Sequence, residues 1–183
     1  RGCNGSGYDC AIAVSGGKDS HFQVYYFKEV LKMNPVLLTA GVLQWTETGR
    51  KNIENLSDTF GCDVIEFQPN RGVARKITRK AFEEIGAPNW YVDALIYTFP
   101  VKMAIQLGLK FLMFGEDVGY TYGGSQSVET PSAIKQHEND VVKPIWKDWI
   151  KEGELTEEES DSTKHPTIEE CTEFGLESIY LSY

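Results

Sequence analysis

The segment from Ser15 to Ser20, Ser-Gly-Gly-Lys-Asp-Ser, most constrains how this 183-residue chain can fold. An apolar run, 8–14, precedes it, and a segment with helical periodicity, 21–33, follows it. A strand that enters a glycine-rich turn at a helix N-terminus directs backbone N–H groups toward one point, and the helix adds about half a positive charge there. The segment therefore predicts an anion site. The candidate phosphate-binding residues are Ser15, Gly16, Gly17, Lys18, Asp19 and Ser20.

Asp19 indicates which kind of anion the turn is expected to bind. A carboxylate repels a polyphosphate unless a divalent cation lies between them, so the turn predicts a nucleotide bound with Mg²⁺ and Asp19 as a metal ligand. Lys18 is predicted to contact the phosphate oxygens and to stabilise departing pyrophosphate. A Walker loop is excluded, because it needs glycine at position 12 and a hydroxyl residue at position 19, where this chain has Ile12 and Asp19.

The pattern Ser-Gly-Gly-x-Asp-Ser, set between a strand and a helix, resembles the PP-loop of the ATP pyrophosphatases. Those enzymes split ATP between its α and β phosphates, and they usually adenylate a carbonyl oxygen to make it a leaving group. The resemblance implies that ATP, with Mg²⁺, is the ligand of the turn.

Strands and helices alternate along the first two thirds of the chain. Strands are predicted at 35–42, 63–67 and 110–114, and helices at 49–60, 73–85 and 93–107, the last interrupted by Pro100. This alternation predicts a parallel sheet with right-handed crossovers, an α/β Rossmann-like three-layer sandwich. Ligands of such sheets bind at the carboxyl ends of the strands, where the strand order reverses.

The chain is predicted to form a single domain over 1–183, with an irregular acidic segment at about 119–165. That segment begins with a glycine- and tyrosine-rich loop, Gly119–Ser125, and continues with a helix near 131–139. An acidic run over 153–162 is expected to be a solvated surface. The C-terminal residues, 179–183, are predicted to form a strand that continues in a longer protein.

Composition indicates the cellular compartment of the chain and limits the partners that it can bind. The four cysteines contain no C-x-x-C pair and no apolar run reaches the length of a membrane span, so we expect a reduced cytoplasm and no membrane. The formal net charge of −9 is uneven, since residues 111–183 hold 5 Lys and Arg against 16 Asp and Glu. Proteins that bind nucleic acid neutralise phosphates with basic residues, so this balance disfavours nucleic acid as a partner.

A second candidate segment is Gly115-Glu116-Asp117, directly after the strand 110–114. The PP-loop family places its loop strand beside the strand that carries its second motif, so we expect both segments at one crevice. Gly115 is then a candidate for ATP binding. Glu116 is a candidate second Mg²⁺ ligand or a residue that orients the nucleophile, and the alternative is a pair of carboxylates in solvent.

The acceptor substrate has candidates after the second predicted strand. The segment 44–50 is rich in hydrogen-bonding groups and precedes a helix at the same edge of the sheet. Either the acceptor or the nucleotide could bind at this segment, and Glu47 and Arg50 are the candidate substrate-binding residues there. The alternative is a helix start that Thr46 or Thr48 caps.

Two further acceptor candidates lie in the next helices. Arg75 belongs to a basic face over 71–80 that suits the diphosphate of a nucleotide sugar, although a solvated helix face would have the same pattern. Trp90 offers an aromatic surface for stacking on a sugar or base, or it belongs to the core.

Several further stretches of the sequence resemble one particular group within the PP-loop enzymes. Together with the loop they are similar to the N-acetyl sugar amidotransferases, a group of PP-loop enzymes, over nearly the whole chain. They are Thr-Glu-Thr-Gly-Arg at 46–50, Arg-Lys-Ala-Phe-Glu-Glu-Ile-Gly at 79–86, Phe-Gly-Glu at 114–116, Tyr-Gly-Gly at 122–124 and Tyr-Leu-Ser-Tyr at 180–183.

That family works in bacterial surface-polysaccharide and nonulosonic-acid pathways, where it converts the acetamido group of a sugar to acetamidino. The resemblance implies that ATP adenylates the amide oxygen of a sugar, expected to be nucleotide-linked, and that ammonia then displaces AMP. It also implies a separate glutaminase subunit that supplies the ammonia. Family members carry a cysteine-rich N-terminal segment without a counterpart here, so we expect the chain to be part of a longer protein.

Two other functions stay open at the level of sequence. A PP-loop enzyme that thiolates tRNA or forms lysidine shares the loop, but it should carry a basic surface or an added RNA-binding domain. A nucleotide-binding module without catalysis is the third interpretation, and the combination of Lys18 with Asp19 argues against it.

Overall fold

The computed structural model describes residues 7–41, 45–117, 132–136, 139 and 142–181. The predicted Gly119–Ser125 loop and Cys3 lie outside the described residues, as do Val42 and Gln44 at the end of the second predicted strand.

Five strands form one parallel sheet in the order β3-β2-β1-β4-β5, which confirms the predicted α/β class. The strands are β1 (Cys10–Ala13), β2 (Pro35–Ala40), β3 (Val64–Phe67), β4 (Phe111–Phe114) and β5 (Glu177–Tyr180).

The helices between the strands follow the predicted alternation. They are α1 (Lys18–Tyr25), which continues as a π-helical turn (Tyr26–Val30), α2 (Glu47–Phe60), α3 (Arg71–Ile85), α4 (Trp90–Gln106), α5 (Trp146–Lys151), α6 (Glu157–Ser160), a 3₁₀ turn (Asp161–Thr163) and α7 (Ile168–Phe174). No helix in the described part of the chain is long and apolar enough to cross a membrane.

The core has two parts, one on each face of the sheet. Alternate residues of β1 separate between them: Cys10 and Ile12 belong to the cluster that includes residues of α1 and α2, and Ala11 belongs to the cluster that includes residues of α3 and α4. Because successive strand residues point to opposite faces, this division is the three-layer arrangement that the sequence predicted.

Local signals define the ends of α2. The Thr46 side chain accepts a hydrogen bond from the Gly49 N–H at 3.0 Å, so Thr46 rather than Thr48 is the N-cap. Gly61 ends the helix in the left-handed conformation, with φ of 57°, as predicted for a glycine at this position.

Helix α4 differs from its prediction. It begins at Trp90, three residues earlier than expected, and runs through Pro100 to Gln106 without a restart. Proline in a helix interior costs about 3 kcal/mol. Ten of the 17 residues of α4 are buried, and this apolar packing outweighs the loss of one backbone hydrogen bond.

The helix predicted near 131–139 is wrong over the residues that the structure describes there. Ser132 forms an antiparallel bridge to Ile179, and the Ala133 N–H donates to the Ser178 carbonyl at 2.8 Å. The backbone of β5 therefore binds this segment as an extended chain, and a turn follows over 134–136.

The acidic run is mostly exposed, as expected, with only Glu159 among its five acidic residues half-buried, but it also forms ion pairs. Glu159 lies 2.7 Å from Lys76 of α3, Asp161 lies 3.1 Å from Lys102 of α4, and Glu154 contacts Lys80. Ion pairs therefore join the acidic segment to the predicted basic face of α3 and to Lys102 of α4.

Burial in the core predicts a large difference between two identical substitutions. Leu112 of β4 is 0% exposed, whereas Leu31, after the π-helical turn, is 46% exposed. Leu112→Ala should lower the free energy of unfolding by about 2–5 kcal/mol, because it leaves a cavity between the sheet and α4. Leu31→Ala should change it by less than about 0.5 kcal/mol, and urea denaturation measures both. Equal losses would contradict the assignment of Leu112 to the core.

Candidate functional site

The strand order reverses between β1 and β4. After β3, at one edge of the sheet, the chain crosses over and places β4 on the other side of β1, with Ala11 paired to Leu112. This is the position where parallel sheets bind ligands. The predicted adjacency of the loop strand and the second-motif strand is confirmed, and a cavity of about 390 Å³ lies at the carboxyl ends of these strands.

The glycine-rich turn forms one wall of this cavity. The Ser15 N–H donates to the Ser20 hydroxyl at 3.0 Å, which closes the turn over the start of α1. Gly17 precedes the helix in an extended conformation, and no side chain caps the first N–H groups of α1. These groups are donors without intrahelical partners, and they suit an anion.

Gly16 meets two requirements that only glycine satisfies easily. Its φ of +79° is in the left-handed region, and a Cβ at this position would lie 3.1 Å from Ile53 Cδ1 and 3.3 Å from Asn52 Cβ. The turn therefore packs closely on α2, so the predicted role of Gly16 in ligand binding would act through the shape of the turn.

Charged side chains from two segments line the same cavity. Lys18 and Asp19 come from the start of α1, and Glu116 comes from the end of β4. Lys18 Nζ lies 2.8 Å from Asp19 Oδ1, and both side chains are exposed. The hydrogen bond and charge of Asp19 raise the pKa of Lys18, and the charge of Glu116 raises it further, so Lys18 stays protonated at neutral pH.

The residues present fit a magnesium ion. Asp19 and Glu116 supply carboxylate oxygens to the cavity. Magnesium binds in proteins through one or two carboxylates together with substrate phosphates and water, so two acidic residues are a sufficient protein contribution. Asp117, which follows Glu116, is only 7% exposed and is not among the residues that line the cavity.

Other residues that line the cavity were not predicted from the sequence. They come from α1, β2, α4 and the end of β4, and they are Gln23, Thr39, Ile96, Tyr97, Pro100 and Phe114. Gln23 lies four residues after Asp19, so helical spacing was a signal for it. For the α4 residues there was no such signal, because α4 is apolar on nearly every face.

Trp45 joins the cavity to the predicted acceptor segment. Its ring lines the cavity, and its Nε1–H donates to Glu66 Oε1 at 2.7 Å. Arg50 Nη1 lies 3.9 Å from the other oxygen of the same carboxylate. Glu47, the first residue of α2, pairs with Lys51 at 2.7 Å. Arg50 and Glu47 thus lie at the same edge of the sheet, outside the wall of the cavity.

The structure does not bring Arg75 to this cavity. Arg75 lies on α3, in a separate open cleft whose acidic members are Glu83, Glu84 and Glu154. Arg79 pairs with Glu83 at 2.8 Å in the same cleft. Acidic partners thus neutralise part of this face, and Arg75 lies away from the cavity on an exposed helix face, which was the alternative for this pattern.

Trp90 is a core residue rather than a stacking surface. It is 2% exposed, its ring packs edge-on against Trp149 with centroids 5.5 Å apart, and its Nε1–H donates to the Lys143 carbonyl at 3.0 Å. A sugar could stack on this ring only if the core opened, so the substrate-binding prediction for Trp90 is corrected.

The described cysteines are poor nucleophiles. Burial raises the pKa of Cys10 to about 12, and it also raises the pKa of Cys62 and of Cys171. The thiolate is the reactive form, so these three side chains stay protonated at neutral pH.

Comparison with protein-family models gives no match to this chain, and comparison with curated proteins gives none either.

The close packing at Gly16 predicts a specific cost of substitution. Gly61 has a similar φ of +57°, and an added Cβ there would have no described atom within 4 Å. Gly61→Ala should therefore cost only the left-handed backbone, about 1–2 kcal/mol. Gly16→Ala should cost at least about 1 kcal/mol more, because its Cβ would crowd Ile53. Urea denaturation of both variants tests this, and a smaller cost at Gly16 would show that the turn does not pack on α2.

Proposed function

We propose that this chain is an ATP-dependent amidotransferase of the PP-loop type, which converts the N-acetyl group of a sugar to an acetamidino group and releases AMP and pyrophosphate. One observation carries the nucleotide part of the proposal. The turn Ser15–Ser20 and the segment Gly115–Glu116 meet at a single cavity where the strand order reverses.

Different residues of the cavity would contact the phosphate oxygens and the metal ion of a bound triphosphate. Backbone N–H groups at the start of α1 and the Lys18 ammonium group would bind phosphate oxygens, and they would stabilise the charge that develops on departing pyrophosphate. Asp19 and Glu116 would hold Mg²⁺. The ion, when bound, neutralises phosphate charge and thereby allows two carboxylates to lie beside a polyphosphate.

The proposed reaction has two steps, and each step forms one bond and breaks another. The acetamido oxygen attacks the α-phosphorus, and the α–β phosphoanhydride bond breaks with loss of pyrophosphate. Ammonia then adds to the activated carbon, and the C–O bond breaks with loss of AMP, which carries away the former amide oxygen. The protein contributes orientation of the reacting groups and electrostatic stabilisation.

The acceptor and the ammonia source rest on the sequence resemblance. It supports a nucleotide-linked N-acetyl sugar of surface-polysaccharide or nonulosonic-acid biosynthesis, a cytoplasmic location and a separate glutaminase subunit. Arg50 and Glu47 remain the acceptor candidates, because they lie at the edge of the sheet next to Trp45. Arg75 and Trp90 are no longer part of the proposal.

Charge distribution favours a sugar over tRNA as the acceptor. Lys76 and Lys80 on the basic helix α3 contact Glu159 and Glu154, respectively. A surface that binds RNA needs basic groups that are available to phosphates, and these pairs reduce their number.

The products of ATP turnover test the proposed reaction. The chain is incubated with Mg²⁺, ATP, an ammonium salt and either nucleotide-linked or free N-acetyl sugars, with tRNA as a parallel acceptor. We expect AMP and pyrophosphate in equal amounts, dependent on the sugar. Release of ADP and phosphate would contradict the PP-loop assignment, and turnover with tRNA alone would identify a tRNA-modifying enzyme.

Asp19→Asn tests the predicted metal ligand. It should lower Mg²⁺-dependent turnover by about 10²–10³-fold, because the amide cannot replace a charged ligand, and it should leave the melting temperature nearly unchanged. Asp58→Asn, an exposed acidic residue of α2, is the matched control and should keep wild-type turnover. Undiminished turnover in Asp19→Asn would remove Asp19 from the proposed site.

A further inference from the structure

Gln23 is the most unusual polar side chain near the cavity. It lies on α1, its side chain is 0% exposed, and neither its Nε2 nor its Oε1 has a hydrogen-bond partner among the described residues. A buried carboxamide offers two donors and two acceptor positions, and leaving them unpaired is costly to folding. A buried polar group without a partner calls for an explanation, and a bound ligand that completes its hydrogen bonds is one.

The position of Gln23 indicates what completes them. Gln23 lines the same cavity as Lys18, Ser20 and Glu116. On α1 it follows Asp19 by four residues and Ser20 by three, so it lies on the helix face that these residues share, one turn further along. The hydroxyl of Ser20 already has a partner, the Ser15 N–H, and the amide of Gln23 does not.

Gly115 keeps the amide in place. A Cβ at Gly115 would lie 2.9 Å from Gln23 Nε2 and 3.3 Å from its Cδ, so any larger residue at the end of β4 would displace the carboxamide. The two segments that form the site are therefore fitted to each other at this point. This packing explains why glycine is needed at position 115, which the sequence motif alone did not explain.

Another buried amide provides a useful contrast. Gln136 is 1% exposed and also has no partner among the described residues, but it does not line this cavity. Burial without a partner is therefore not sufficient for an assignment. Gln23 differs because anion-binding groups surround the same space.

We propose that Gln23 is a nucleotide-binding residue whose carboxamide N–H donates to an oxygen of the phosphate chain of bound ATP. This inference rests on the proposed nucleotide site. A phosphate oxygen is favoured because Gln23 lines the same cavity as Lys18 and the turn at the start of α1, and it lies on the same helix as Lys18. A neutral donor adds a hydrogen bond there without a further charge in a buried position.

The test uses a substitution that should keep or raise the stability of the chain and weaken its binding of Mg·ATP. Gln23→Met keeps the length and volume of the side chain and removes its hydrogen-bonding groups. Without nucleotide, this variant should melt at or above the wild-type temperature, because an unpaired buried amide has been removed. Its Kd for Mg·ATP, measured by calorimetry without acceptor, should rise at least about tenfold, since hydrogen bonds to charged groups are the strong ones.

Gln106→Met is the matched control, because Gln106 is exposed at the end of α4 and should change neither quantity. Gln23→Leu repeats the test with a different side-chain shape. If both Gln23 variants melt below wild type, the amide has a structural role and the inference is wrong. If a stably folded Gln23→Met variant binds Mg·ATP with wild-type affinity, the inference about Gln23 is also wrong. That result would leave the proposed function intact. If the wild-type chain binds no Mg·ATP, both proposals fail together.

Discussion

The pairing of β1 with β4 is the interaction on which the rest of the structure depends. β1 and β4 are about a hundred residues apart in the sequence, and their pairing, Ala11 with Leu112 and Ile12 with Met113, aligns their carboxyl ends. Without this register, Ser15 and Gly115 would not lie at one cavity. Both strands are apolar on both faces, so the close packing of differently shaped side chains in each half of the core, rather than an alternation of polar and apolar residues, fixes the register.

The site is consequently built from rigid elements rather than from a single motif. The turn is fixed on one side by the contact between Gly16 and Ile53 of α2, and on the other by the packing of Gln23 against Gly115. Lys18, Asp19 and Glu116 extend from this frame into the cavity. In such an arrangement the groups proposed to bind phosphate are in place before a ligand arrives, which reduces the entropy that binding must remove.

The sequence predicted those features whose cause is local. The turn, the alternation of strands and helices, and the caps of α2 at Thr46 and Gly61 all follow from a few adjacent residues. The features that it missed depend on partners far along the chain. Packing on Trp149 decides between the two interpretations that the sequence left open for Trp90, the acidic run pairs with Lys76 and Lys102, and β5 holds 132–133 extended. Within the site, the loop and Glu116 were predicted, and the wall contributed by α4 was not.

The central claim is that ATP binds between the two strand ends that this pairing brings together. The most direct measurement is a crystal structure of the chain with Mg²⁺ and α,β-methylene-ATP, an analogue that cannot be split at the α–β bond. The account predicts the phosphate chain over Ser15–Ser20, with the cation between the phosphates, Asp19 and Glu116. Phosphates bound at the basic face of α3, or anywhere away from the ends of β1 and β4, would contradict it.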